Sequence, residues 1–295
     1  MTAVKVRELR KSYGPVEAVR GIDFTIEDGE VVAILGPNGA GKTTTVEMIE
    51  GFRRPDTGSI EVLGQDPANR GARLLDRIGI VLQDGGIEGE LTVEEAIEAQ
   101  RRPYRSPMSA DEAIDLVDLG EKRDQRIKRL SGGQRRRLDL ALGMVGNPDL
   151  LFLDEPTTGF DPAARRRSWE AIRGLSAKGT TVVLTTHYLE EAQELADRVI
   201  VMAGGLIVAD GPPDTLGERN PGVATISFSV DPLRATDLGM VAVDGGRVEI
   251  ETDDPVRTIH EITTKALDND IPLRNLEVSR LSLEEAYLRL VSPRE

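Results

Sequence analysis

The sequence predicts an α/β protein in two parts: a large domain on a mainly parallel sheet over residues 1–215, and a small α+β domain over residues 216–295. Three observations carry that expectation. Up to about residue 215, short apolar runs rich in β-branched residues alternate with longer helical patterns, as they do where helices cross between parallel strands. A glycine-rich octapeptide, residues 36–43, lies between one such strand and the helix after it. A stretch rich in Gly, Pro and charge, residues 210–221, then reads as a linker, and the pattern beyond it changes.

The runs at 31–35, 78–82, 150–154, 180–185 and 198–203 have the length and composition of buried strands. Helices are expected at about 41–52, 163–175 and 188–195. The segment 84–146 breaks the alternation and is expected to be an inserted, mainly helical subdomain. Two of its helix starts carry the capping-box spacing, Thr92 with Glu95 and Ser131 with Gln134. In the small domain, strands are expected at 224–230 and 241–251, the second broken by a hairpin turn at Asp244-Gly245-Gly246. A helix at 255–267 and a strand at 274–278 follow. A last helix starts at Ser282, capped with Glu285, and carries Leu283, Ala286, Tyr287 and Leu290 on one face.

Composition bounds the function. Of the 295 residues, 39% are hydrophobic and 30% charged, an ordinary soluble balance. No apolar run approaches the ~18 residues of a membrane span, and the N-terminus has no apolar signal core, so a cytosolic chain is expected. The lack of Cys excludes disulfides and thiolate metal sites. A net charge of −14 argues against coating nucleic acid. A basic run over residues 122–137 goes against that balance. A solvated face is the favoured reading of it, and contact with phosphates or an acidic partner the alternative.

The octapeptide Gly36-Pro37-Asn38-Gly39-Ala40-Gly41-Lys42-Thr43, followed by Thr44, has the phosphate-binding pattern G-x-x-x-x-G-K-T in its proper strand–helix setting. Its glycines let successive N–H groups face phosphate oxygens, and the helix N-terminus adds a positive dipole end. Lys42 is placed to reach the β- and γ-phosphates, and Thr43 to offer its hydroxyl to Mg²⁺. The run Leu150-Leu151-Phe152-Leu153-Asp154-Glu155 reads as a buried strand ending in two carboxylates. Asp154 suits Mg²⁺, directly or through water, and Glu155 suits a general base for the attacking water. Either carboxylate alone could be an ordinary turn acid.

Leu130-Ser131-Gly132-Gly133-Gln134 is the signature sequence of ABC ATPases, and on it the chain resembles that family over residues 1 to about 215. The expected core is then a P-loop NTPase of the ABC type. The resemblance implies further roles. Tyr13 matches the aromatic that stacks on adenine. Gln83 matches the glutamine that contacts Mg²⁺ and water and couples to the membrane partner. Asp161 matches the aspartate that links two subunits near the nucleotide, and His187 the histidine at the γ-phosphate. Thr158 and Phe160 stand where the family more often has Ser and Leu, which bears on fine coupling. The resemblance also implies a second ATPase subunit whose ATP meets Ser131 and Gly133, an integral membrane permease, and a position on the cytoplasmic face of the membrane. The last helix resembles the C-terminal end of ABC-2 type drug, antibiotic and lipid exporter ATPases, such as the daunorubicin-resistance kind.

An exporter subunit is the leading expectation. An importer subunit, or a soluble ABC ATPase acting on ribosomes, DNA ends or iron–sulfur assembly, stands second. Against the soluble classes are the single phosphate loop and single signature, the lack of a sustained heptad run, and the presence of the C-terminal domain.

Overall fold

In the computed structural model, which describes residues 1–81, 88–216, 224–238, 246–280, 283, 287 and 288, the continuous apolar runs become strands of one sheet. The chain opens with β1 (Thr2–Tyr13), β2 (Val16–Glu27) and β3 (Val31–Leu35). Helix α1 (Lys42–Ile49), strand β4 (Thr57–Val62), the short α2 (Ala72–Leu75) and β5 (Ile78–Val81) follow. The helical segment holds α3 (Val93–Arg101), α4 (Ala110–Leu116) and α5 (Gly132–Met144). Beyond it come β6 (Leu150–Asp154), α6 (Pro162–Ser176), β7 (Thr181–Thr185), α7 (Leu189–Leu195), β8 (Arg198–Ala203) and β9 (Leu206–Gly211).

Strands β5-β6-β7-β3-β8-β9 form the main sheet in that order, parallel except for β9, which runs antiparallel to β8. The linker expected at 210–221 therefore starts too early. Asp210 and Gly211 close strand β9, and Asp210 accepts hydrogen bonds from Arg198 across the β8–β9 pair. Strands β2-β1-β4 make a second, antiparallel sheet, a layer that the strand–helix alternation does not announce. Val4, Val6, Leu9, Ile22 and Ile26 from it share one core with Val32, Ile34, Phe152, Val183 and Ile200 of the main sheet and with Val46, Met48 and Ile49 of α1. Removing that apolar area from water is the dominant stabilising term, at ~25 cal/mol per Å².

Helices α3, α4 and α5 pack on one another. All three begin in a capping box: Thr92 with Glu95, Ser109 with Glu112, and Ser131 with Gln134. In the basic run, Arg123 pairs with Glu94 and Asp111, Arg126 and Lys128 with Glu90, and Arg137 with Asp118. Exposed pairs of this kind contribute at most about 1 kcal/mol each. Arg123, Arg126 and Lys128 are thus neutralised at the surface, while Arg137 also donates to the carbonyls of Val117 and Asp118 and Arg136 is buried.

Contacts divide the chain into Met1–Pro213 and Asp214–Glu295. The second unit has an antiparallel sheet ordered β11-β10-β12, from β10 (Ala224–Ser229), β11 (Arg247–Thr252) and β12 (Arg274–Arg280). It also holds α8 (Pro232–Ala235) and α9 (Pro255–Asp268). Asp254 caps α9, and Ile262 and Ala266 on it share a core with Ile226, Phe228, Val230 and Val248. The first half of the strand expected at 241–251, the turn residues Asp244 and Gly245, and most of the last helix lie outside the described residues.

Candidate nucleotide-hydrolysis site

The phosphate loop runs from the end of β3 into α1, between two neighbouring strands. A Cβ at Gly36 would sit 2.3 Å from the Met202 carbonyl oxygen of β8, and one at Gly41 2.3 Å from the Ala18 carbonyl oxygen of β2. Gly41 also has φ 99°, so only glycine fits there without strain. No side chain caps α1, and its first-turn N–H groups have no intrahelical acceptor, which suits an anion. Lys42 Nζ donates to the carbonyls of Gly36 at 2.7 Å and Pro37 at 3.1 Å, so the loop curls around its own lysine. Pro37, Asn38, Gly39 and Thr43 are exposed, Ala40 is buried, and Thr44 is half-buried.

Burial holds the Lys42 ammonium below its ordinary pKa, against the opposing pull of the Glu155 and Asp154 carboxylates. The end of β6 therefore lies within electrostatic reach of the loop. Asp154 Oδ1 accepts a hydrogen bond from Thr185 Oγ1 of β7. Glu155 turns away from the strand at φ 47°, and its N–H donates to the Thr185 carbonyl at 3.0 Å. Its Oε1 lies 3.1 Å from His187 Nδ1, and its Oε2 accepts from Thr158 Oγ1 at 3.2 Å. The C-terminal ends of adjacent parallel strands β6 and β7 thus bring Asp154, Glu155, Thr185 and His187 together, where open α/β sheets bind ligands.

Arg136 is the residue that sequence reasoning missed. It is buried, and its Nη2 donates to the carbonyls of Asp154 at 2.6 Å and Glu155 at 3.0 Å. It lies on α5, two residues past the signature, so it ties the signature helix to the backbone of the carboxylate pair. The only sequence signal was its place in the basic run, where it looked like surface.

The other expected residues lie on separate elements. Ser131 and Gln134 cap α5 reciprocally, at 2.9 and 3.2 Å, with Gly132 and Gly133 in its first turn. Asp161 caps α6, accepting from the N–H groups of Ala163 at 3.0 Å and Ala164 at 2.9 Å. The Ala164 N–H in particular holds its carboxyl below the usual range. Tyr13 ends β1, 40% exposed, with the Arg53 guanidinium 5.2 Å from its ring centre. Gln83 lies outside the described residues.

Residues 19–158 match the family described as ABC transporter. A daunorubicin resistance ATP-binding protein of Streptomyces coeruleorubidus is 36% identical over 98% of this chain and 96% of its own length. A Nod factor export ATP-binding protein of Rhizobium meliloti (strain 1021) is 38% identical over 98% of this chain and 88% of its own length. Among solved structures, a dimeric ATP-binding cassette in a post-hydrolysis state with ADP and Pi superposes with a TM-score of 0.64. It is 27% identical, over 71% of this chain and 98% of that one. The fold and site define a nucleotide-binding ATPase cassette. The chain belongs to the ABC transporter family, as an ATP-binding subunit that hydrolyses ATP. Among the described residues no helix is long and apolar enough to cross a membrane.

Proposed function

We propose that the chain is the energy-coupling subunit of an exporter for a drug, antibiotic or lipid. It works as a nucleotide-sandwich dimer on the cytoplasmic face of a separate membrane permease. Relatives named for daunorubicin resistance and Nod factor export support the direction and the cargo class. The observation that carries the hydrolytic reading is the Glu155–His187 pair, 3.1 Å apart, at the strand ends facing Lys42.

In this reading the residue 36–44 loop wraps the phosphates and Lys42 gives up its carbonyl partners for the β- and γ-oxygens. Glu155 takes a proton from water as the water oxygen bonds to the γ-phosphorus. The bond from that phosphorus to the bridging oxygen breaks, and ADP leaves with the electron pair. His187 holds the γ-phosphate and orients Glu155. Tyr13 stacks on adenine. Ser131, Gly132, Gly133 and Gln134 meet the γ-phosphate bound by the second subunit, and Asp161 lies at that junction. The donors Asp154 and Thr43 are a carboxylate and a hydroxyl, the oxygen chemistry that Mg²⁺ prefers; with Gln83 they would hold it. Bound there, Mg²⁺ neutralises phosphate charge.

Glu155→Gln tests this. The variant should bind ATP like the parent, while turnover falls by roughly two to four orders of magnitude, as for loss of general-base catalysis. Light scattering should show it dimerising when ATP is added, and Ser131→Arg in the same background should abolish the dimer. Parent-like turnover would remove Glu155 as base, and a monomer in every state, with the permease supplied, would remove the sandwich.

A further inference from the structure

Glu191 lies on α7, four residues beyond His187, and its side chain is wholly buried. Its Oε1 accepts two hydrogen bonds, from Thr157 Oγ1 at 2.7 Å and Trp169 Nε1 at 3.1 Å. Its Oε2 has no hydrogen-bond partner among the described residues. Thr157 is fully buried and stands two residues past Glu155, while Trp169 lies on α6, two turns beyond Asp161. One carboxylate oxygen thus joins α7 behind His187, α6 behind Asp161, and the loop between Glu155 and Asp161. A parallel contact runs alongside it. Arg165, one turn before Trp169, stacks 4.8 Å over Tyr188 and pairs with Glu190 at 3.6 Å, and the Tyr188 ring lies 4.1 Å from that of His187.

A half-satisfied buried carboxyl is a costly way to join two helices, since a well-packed apolar group of the same volume would do as well or better. What it offers instead is direction, because an acceptor at 2.7 Å fixes the Thr157 hydroxyl and the loop that carries it. The His187 ring and the Glu155 carboxyl sit at the two ends of this connection.

We propose that Glu191 is a positioning residue for ATP hydrolysis, setting the Glu155–His187 geometry by holding Thr157 and Trp169 on one carboxylate oxygen. The proposal rests on Glu155 being the base. It makes the acceptor oxygen the essential feature, so Glu191→Gln, which keeps one, should work where Glu191→Ala does not.

The test is steady-state ATP hydrolysis by the purified full chain with Mg²⁺, for Glu191→Ala, Glu191→Gln and Thr157→Val, with Glu155→Gln in parallel. Thr157→Val removes one hydrogen bond and leaves no space. The chain's only tryptophan belongs to this connection, so its emission checks that each variant keeps Trp169 buried. Glu191→Ala and Thr157→Val should each lower kcat about tenfold, the scale of a small misplacement of catalytic groups, with KM within about twofold of the parent. Glu191→Gln should return to within about threefold of it. If Glu155→Gln is inactive but Thr157→Val turns over at the parent rate, the positioning role is overturned and the base stands. Glu191→Gln no better than Glu191→Ala also overturns it, as does a fall in kcat accompanied by a comparable rise in KM, which marks general loosening. If Glu191→Ala does not fold, Thr157→Val decides alone. Parent-like turnover by Glu155→Gln removes the base and this proposal together.

Discussion

Glu155 occupies a left-handed backbone conformation, φ 47°, which costs a non-glycine residue roughly 1–2 kcal/mol. Its N–H on the Thr185 carbonyl and its own carbonyl under Arg136 offset that cost. The carboxylate pair was legible because an apolar run ended in two acids. Its supports, Arg136 and Glu191, were not, because a buried Arg within a basic run and a buried Glu within Leu-Glu-Glu-Ala resemble surface residues in one dimension. Tyr13 was legible only through the family resemblance, and the structure gives it an exposed ring with a guanidinium nearby. If it stacks on adenine, Tyr13→Ala should weaken ATP binding about tenfold, the scale of an aromatic stacking contact, and Tyr13→Phe should leave it unchanged. Titration calorimetry in the Glu155→Gln background measures this without turnover. Equal affinity for Tyr13→Ala and the parent would assign the ring to the surface.

Among the elements, β3, β6 and β8 fall at the limits expected from sequence because each is a continuous apolar run. Strands β1, β2 and β4 were not read. A bulge breaks the alternation of β1, with a register shift between Val6 and Leu9 and Glu8 at φ 45°, whereas Ile22, Phe24 and Ile26 of β2 alternate with exposed polar residues and were legible. Strand β9 alternates exposed with half-buried positions at the sheet edge, and its final Asp-Gly resembles a linker. Helix α1 carries a second consequence at its C-terminal end. Glu50 is 4% exposed, and burial, reinforced by Asp154 and Glu47, pushes its carboxyl from 4.5 to about 8. Between those values the folded chain keeps a proton that the unfolded chain has released. This group's contribution to stability is therefore largest below pH 4.5, declines as pH rises through the window, and is flat above about 8. Glu50→Gln removes the dependence. The variant's melting temperature relative to the parent should rise between pH 5 and pH 8.5 by about 5 °C, for a linkage of one to a few kcal/mol. Thermal melts of both nucleotide-free chains check it, and a difference that does not change with pH would mean that Glu50 is ionised in the fold.

For the molecule as a whole, every residue assigned to the nucleotide, from Tyr13 to His187, precedes the division at Pro213. The second unit has its own sheet and its own core around Ile226, Phe228 and Ile262. Its α9 leaves Val256 and Leu267 exposed, at 78% and 81%. We propose for this unit a role in assembly, regulation or the cargo pathway. A chain ending at Pro213 should bind ATP within about threefold of the parent, a difference under 1 kcal/mol, because no assigned contact is lost. Export by cells expressing it with the permease should fall. Calorimetry on the truncated chain and an export assay form the paired measurement. Lost affinity in a truncation that melts cooperatively would bring the second unit into the nucleotide site. Unchanged affinity with unchanged export would make it dispensable, and the exposed apolar residues of α9 would then need no partner.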